Sequence, residues 1–157
     1  MSDDLHPPPA TVAELAACEA LIESWLADEQ RDNPVIIAID RDPRERRWFV
    51  RLRGEEKDIT AVWFTLGQRT LQYETYVMPA PEEGHAELFE YLLRRNERLN
   101  GLAFCIGDED AIYLRGQLAV GVVDRADLDR ILGSLYVTVE RFFRPAMRIG
   151  YASRFRG

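Results

Sequence analysis

Between Trp48 and Met78 apolar and polar residues alternate with a period of two; on either side of that stretch they recur at three and four. Trp48, Val50 and Leu52 share one face, with Phe49, Arg51 and Arg53 on the other. Gly54-Glu55-Glu56-Lys57 forms a hairpin loop, after which Ile59, Ala61, Trp63 and Thr65 alternate with Thr60, Val62, Phe64 and Leu66. Gly67-Gln68 turns the chain again, and Leu71, Tyr73, Thr75 and Val77 alternate with Gln72, Glu74, Tyr76 and Met78. The simplest account is a meander of three antiparallel strands.

Upstream, Thr11 and Glu14 form a capping box, and Val12, Leu15, Cys18, Ile22, Trp25 and Leu26 keep a helical period to about Gln30. Asp32-Asn33-Pro34 ends this helix. Val35 to Ile39 reads either as an edge strand or as an extended connection. Downstream, Pro79 to Glu83 is a helix-start signal, with glutamates at the positive end of the helix dipole. Leu88, Tyr91, Leu92, Arg95 and Leu99 mark one face of that second helix, and Asn100-Gly101 stops it. A strand from Leu102, a turn at Gly107 to Asp110 and a longer strand from Ala111 to Val120 follow. Asp124 caps a third helix through Leu128, Ile131, Leu132, Leu135, Val139 and Phe142, with a kink or end expected near Arg144 because Pro145 lacks a backbone donor. The predicted class is α+β, a helix–antiparallel sheet–helix sandwich in the order α-βββ-α-ββ-α. Residues 1–10, with Pro7-Pro8-Pro9, read as a flexible tail, residues 11–153 as a single domain and 154–157 as a C-terminal tail.

These segments resemble the YbjN-like family of small bacterial proteins, labelled sensory transduction regulators, whose fold is similar to that of type III secretion chaperones. The resemblance lies in Trp48 to Lys57, Tyr76 to Pro81, Tyr91-Leu92-Leu93-Arg94-Arg95-Asn96, Ala103 to Asp110 and Gly150-Tyr151-Ala152-Ser153, and covers roughly residues 12 to 153. It implies the helix-and-sheet sandwich and a homodimer, and it carries over no catalytic residue.

Composition narrows the function classes. At 157 residues and 46% hydrophobic the chain suits one folded domain, and a net charge of −7 disfavours nucleic acid and anionic membrane surfaces. No apolar run approaches the roughly 20 residues of a membrane span, and the acidic Met1-Ser2-Asp3-Asp4 does not read as a signal peptide. Cys18 and Cys105 offer neither a disulfide framework nor a metal motif, which fits a cytoplasmic protein with reduced thiols.

No catalytic constellation emerges. His6 lies in the tail, and His85, in the first turn of the second helix, has no nucleophile beside it and reads as a surface histidine. Asp108-Glu109-Asp110 lacks the ordered ligands of a calcium loop and reads as a solvated turn; no phosphate loop, cofactor or metal is expected. Arg94, Arg95 and Arg98 complement the C-terminal dipole of the second helix. Arg141, Arg144 and Arg148 form a basic stripe on the third helix, either a contact surface for a small anion or an acidic peptide, or a solvated face paired with local acids.

Aromatic residues supply the remaining signal. Trp48, Trp63, Tyr73 and Tyr91 are assigned to the core. Phe49, Phe64, Tyr76 and Met78 fall on the opposite strand faces and are the candidate interaction surface. With Val62 and Leu66 they would make that side too apolar to leave wet, so either another helix covers it or it is an interface. The reading is a non-enzymatic protein-interaction module, chaperone-like or regulatory, homodimeric and with a protein partner. The alternative is a regulatory domain sensing an anionic metabolite through Arg144 or Arg148, gated by residues Gly150 to Arg156.

Overall fold

The computed structural model describes residues 6–155. Its elements are α1 (Val12–Asp32), β1 (Ile36–Asp42), β2 (Arg47–Arg53), β3 (Ile59–Leu66), β4 (Thr70–Met78), α2 (His85–Asn96), β5 (Ala103–Ile106), β6 (Ile112–Ala119) and α3 (Arg125–Gly150). Short 3-10 turns lie at Asp108–Asp110, Val120–Val122 and Ala152–Phe155. The six strands form one antiparallel sheet in the order β1-β2-β3-β4-β6-β5. The predicted α+β class is the observed one, and the run from Val35 is resolved as the edge strand β1, which gives the sheet six strands.

Helix boundaries follow local chemistry. Thr11 accepts from the Glu14 amide while Glu14 accepts from the Thr11 amide, and Asp124 and Asp127 make the same reciprocal pair at the start of α3. α2 begins later than the proline and glutamates suggest: Pro81 to Glu83 are held by the opposite end of α3, where the Glu82 and Glu83 amides both donate to the Gly150 carbonyl. Gly84 then turns the chain with φ near 62°. Pro145 does not end α3. The helix continues to Gly150, because its last turn is anchored by buried Ala146 and by Gly150, which approaches Met78, Pro81 and Leu88 closely.

All three helices cover one side of the sheet. α1 places Trp25 edge-to-face on Phe64 at 5.6 Å and donates its indole N–H to Asp129 of α3 at 2.7 Å. α3 crosses the middle of the sheet, and α2 packs against α3 and β5. The core beneath them takes Trp48, Val50 and Leu52 from β2, Val62, Phe64 and Leu66 from β3, Leu71, Tyr73 and Val77 from β4, and Phe104, Ile112 and Leu114 from the last strands.

Two expected surface residues therefore change sides. Phe64 is fully buried, since the register sets it opposite Trp48 on one neighbour and Tyr73 on the other, and cross-strand partners share a face. Trp63, assigned to the core by its apolarity, is on the uncovered side. β3 is apolar on both faces, so alternation alone does not say which face is inside. Met78 is also fully buried: the β4–β6 register shifts between Tyr76 and Met78, and this irregularity turns both Val77 and Met78 inward.

Candidate interaction surfaces

Strand register arranges the uncovered face in rows. One row runs Asp40, Phe49, Trp63, Glu74, Arg115, Ala103; the next pairs Arg51 with Ala61, and Tyr113 with both Tyr76 and Cys105. The aromatic rings pack on one another. Tyr113 meets Tyr76 edge-to-face at 5.7 Å and Trp63 at 6.3 Å. The Trp63 indole N–H donates to Glu74, which also accepts from Arg115, whose guanidinium lies 4.6 Å from the Tyr113 ring centre. Burial raises the Tyr76 hydroxyl above its ordinary pKa and does the same to the Cys105 thiol. Phe49, Ala61 and Trp63 floor a shallow depression of about 590 Å³ with Asp40, Arg47, Arg51, Glu74 and Asp108 around it. Phe49, Trp63, Tyr76 and Tyr113 are each half-buried by their neighbours, and no helix among the described residues covers them.

Phe49 and Tyr76 thus lie on the face proposed for them, while Phe64 and Met78 do not. Trp63 and Tyr113 were missed. The signal that finds them is pairing register, because one strand's alternation is satisfied equally by either face.

The arginine stripe of α3 is exposed but divided. Arg144 pairs with Glu56 of the β2–β3 hairpin at 2.6 Å, Arg141 lies 5.3 Å from the Phe142 ring, and Arg148 points outward nearby. The segment proposed as a gate is tied down instead: the Tyr151 hydroxyl donates to the Ala80 carbonyl at 2.5 Å, and Arg154 pairs with Glu82. Arg156 lies outside the described residues.

A second apolar surface lies at the other sheet edge. Phe89, Leu92 and Leu93 of α2 and Phe104 and Ile106 of β5 line a groove of about 440 Å³, with Leu93 67% and Ile106 51% exposed. Beside it the Asn96 side chain accepts from the Phe104 amide at 2.7 Å and donates to the Phe104 carbonyl at 3.2 Å.

The β2–β3 hairpin is clasped to α3. Glu140 accepts from the backbone amides of Glu55 and Glu56 at 3.0 and 2.8 Å, and the Tyr136 hydroxyl donates to the Arg53 carbonyl at 2.9 Å. At its end, Lys57 reaches under Tyr76. Among the described residues no group of three or more His, Cys, Asp or Glu is placed to hold a metal, and no helix is long and apolar enough to cross a membrane.

Comparison with solved structures places this architecture among the type III secretion chaperone folds. A chain of the heterodimeric ExoU–SpcU complex from the type III secretion system of Pseudomonas aeruginosa superposes with a TM-score of 0.53 at 14% identity, covering 80% of this chain and 96% of that one. A chain of the ExsC–ExsE complex gives 0.55 at 18% identity, covering 80% and 93%. In sequence, uncharacterised proteins of Mycobacterium tuberculosis and Mycobacterium bovis are 34% identical over 105 residues, and one of Mycobacterium leprae is 31% identical over 107. The first two matches take in 67% of this chain and 57% of each relative, so the chain aligns with a little over half the length of the curated relatives it matches. Residues 20–146 match the YbjN family, described as "Putative bacterial sensory transduction regulator". With that match across most of its length, the chain belongs to the YbjN family.

Proposed function

We propose that this chain is a non-enzymatic protein-interaction module, chaperone-like or regulatory, that works in the cytoplasm as a homodimer formed through the uncovered sheet face. The observation that carries the reading is the aromatic group Phe49, Trp63, Tyr76 and Tyr113 on a side of the sheet to which no described helix is committed. The occupant we assign to it is a second copy. The face carries both signs of charge, Arg47, Arg51 and Arg115 against Asp40, Glu74 and Asp108, so a self-complementary twofold arrangement is open to it. Elsewhere two chains of net charge −7 repel. Similarity to chains solved within two-protein complexes supports a protein-binding role. In such a dimer the groove beside β5 is left for the apolar side chains of a partner polypeptide.

Sedimentation velocity of the wild type and of Trp63→Asp tests this. The reading expects a wild-type dimer at micromolar concentration and a folded monomer for the variant, with Leu93→Asp remaining dimeric. A monomeric wild type, or a Trp63→Asp dimer of equal strength, overturns it.

A further inference from the structure

Charge on the uncovered face is laid out by strand register. In the row that holds Trp63, Asp40 stands on β1, two strands from β3 on one side, and Arg115 stands on β6, two strands from β3 on the other. Phe49 and Glu74 lie between them, each one strand from β3. In the next row Arg51 is on β2, Ala61 is on β3 and, with the β3–β4 register carried on by one residue, Tyr76 is on β4. Asp40 is exposed and makes no ion pair among the described residues; Arg41 and Arg47 near it are taken by Glu19, Glu23 and Glu45. Arg51 is likewise exposed and without an ion pair among the described residues. Arg115 bonds Glu74 through its Nε, and a guanidinium has further N–H donors at its terminal nitrogens.

A twofold axis that lays one such face on another lies in the plane of the face, and each residue then meets the one at its mirror position across the axis. An axis running across the strands along the Trp63 row lays Asp40 on the copy's Asp40, Glu74 on its Glu74 and Arg115 on its Arg115, like charge on like. An axis between β2 and β3 brings Asp40 to the copy's Glu74, and an axis along β4 brings Glu74 to Glu74. One between β3 and β4 leaves Asp40 against Ala103. An axis along β3 instead brings Asp40 to the copy's Arg115, once on each side, and Arg51 to the copy's Tyr76 ring, where a guanidinium is favoured. It also sets Trp63 on Trp63 and Ala61 on Ala61. Sheets related in this way keep their strand directions nearly aligned, the arrangement in which two twisted sheets lie about 10 Å apart and cross at roughly 30°.

We propose that the twofold axis of the dimer runs along β3, with Ala61 and Trp63 on it and Asp40 of each copy paired with Arg115 of the other. This rests on the dimer reading and adds to it the register of the two faces. The aromatic centre at Trp63 is then the part of the interface that loses its water, and the Asp40–Arg115 pairs stand two strands out, about 10 Å from the axis, as a polar rim. Asp40 gains an opposite charge in this register and in none of the others compared, so the pair selects the register. The β5 edge and its apolar groove lie farthest from the axis and stay clear of the second copy.

Cross-linking reads the axis directly, because a residue on it meets its own copy. Folded Ala61→Cys treated with a short bis-maleimide should give a covalent dimer as the main product. The wild type is the control: Cys18 is buried, and Cys105 lies three strands from β3, which places its two copies about 29 Å apart, so no linked dimer should form. Asp40→Arg changes an exposed side chain and sets like charges together, so it should weaken the dimer about tenfold or more in sedimentation velocity while the folded far-UV circular dichroism is kept. A wild-type dimer that Trp63→Asp breaks, but in which Ala61→Cys does not link, Cys105 links instead, or Asp40→Arg dimerises as tightly as the wild type, overturns the axis and leaves the dimer reading standing. A monomeric wild type overturns both.

Discussion

The side-chain amide of Asn96 makes to Phe104 the two hydrogen bonds that a further strand would make, accepting from its N–H and donating to its C=O on the outer edge of β5. One residue at the end of α2 thereby satisfies the centre of a four-residue edge strand and fixes the helix against the sheet. It also blunts the edge against pairing with another chain. Asn96→Leu should destabilise the fold by about 1–3 kcal/mol, since both Phe104 groups lose their partner where they are partly buried. Urea unfolding measures this; an unchanged midpoint would show that water replaces the amide without cost.

The two phenylalanines on either side of the sheet should respond unequally to truncation. Phe64→Ala removes a ring packed on Trp25 under α1 and should cost about 3–5 kcal/mol. Phe49→Ala removes a half-buried ring on the uncovered face and should cost less than about 1 kcal/mol in the monomer. Thermal and urea melts of both variants decide it, and equal costs would place Phe49 in a core as well.

Gly116 in β6 faces the Gly101 carbonyl oxygen and the Tyr73 ring so closely that a methyl group there would overlap both. Tyr73 in turn donates to that carbonyl at 2.9 Å. Gly116→Ala should therefore cost about 1–3 kcal/mol through overpacking and displacement of the hydroxyl. If its denaturation midpoint matches that of the wild type, the loop at Gly101 yields instead.

Stability should depend on pH through Lys57. Its pKa falls from 10.5 to about 8 on folding because burial disfavours the charged form. Between those values the unfolded chain binds more protons than the folded one, so this group's contribution rises with pH from about 8 to about 10.5 and is lost as pH falls, by at most about 1.4 kcal/mol per pH unit. Burial raises Tyr73, Tyr76 and Cys18 and acts in the opposite sense at similar pH. The comparison is therefore wild type against Lys57→Met. The stability difference should move in favour of the wild type between pH 7 and 9.5, and a flat difference would place the Lys57 amine in water.

What the sequence determined by itself was each element whose signal is local. The capping boxes at Thr11 and Asp124, the hairpin at Gly54, the helical periods of α1 and α3 and the α+β class all depend on residues a few positions apart. Tertiary structure decided whatever needed a partner from far along the chain. β1 is a strand because β2 pairs with it. α3 passes Pro145 because Met78, Pro81 and Leu88 hold its last turn. Phe64 and Trp63 exchange sides because Trp48 and Tyr73 fix the register of an otherwise symmetric strand. The irregularity after Tyr76 reverses Met78. A period of two fixes which residues share a face. Only the pairing of that strand with its neighbours, and the helices packed above them, fixes which face is buried.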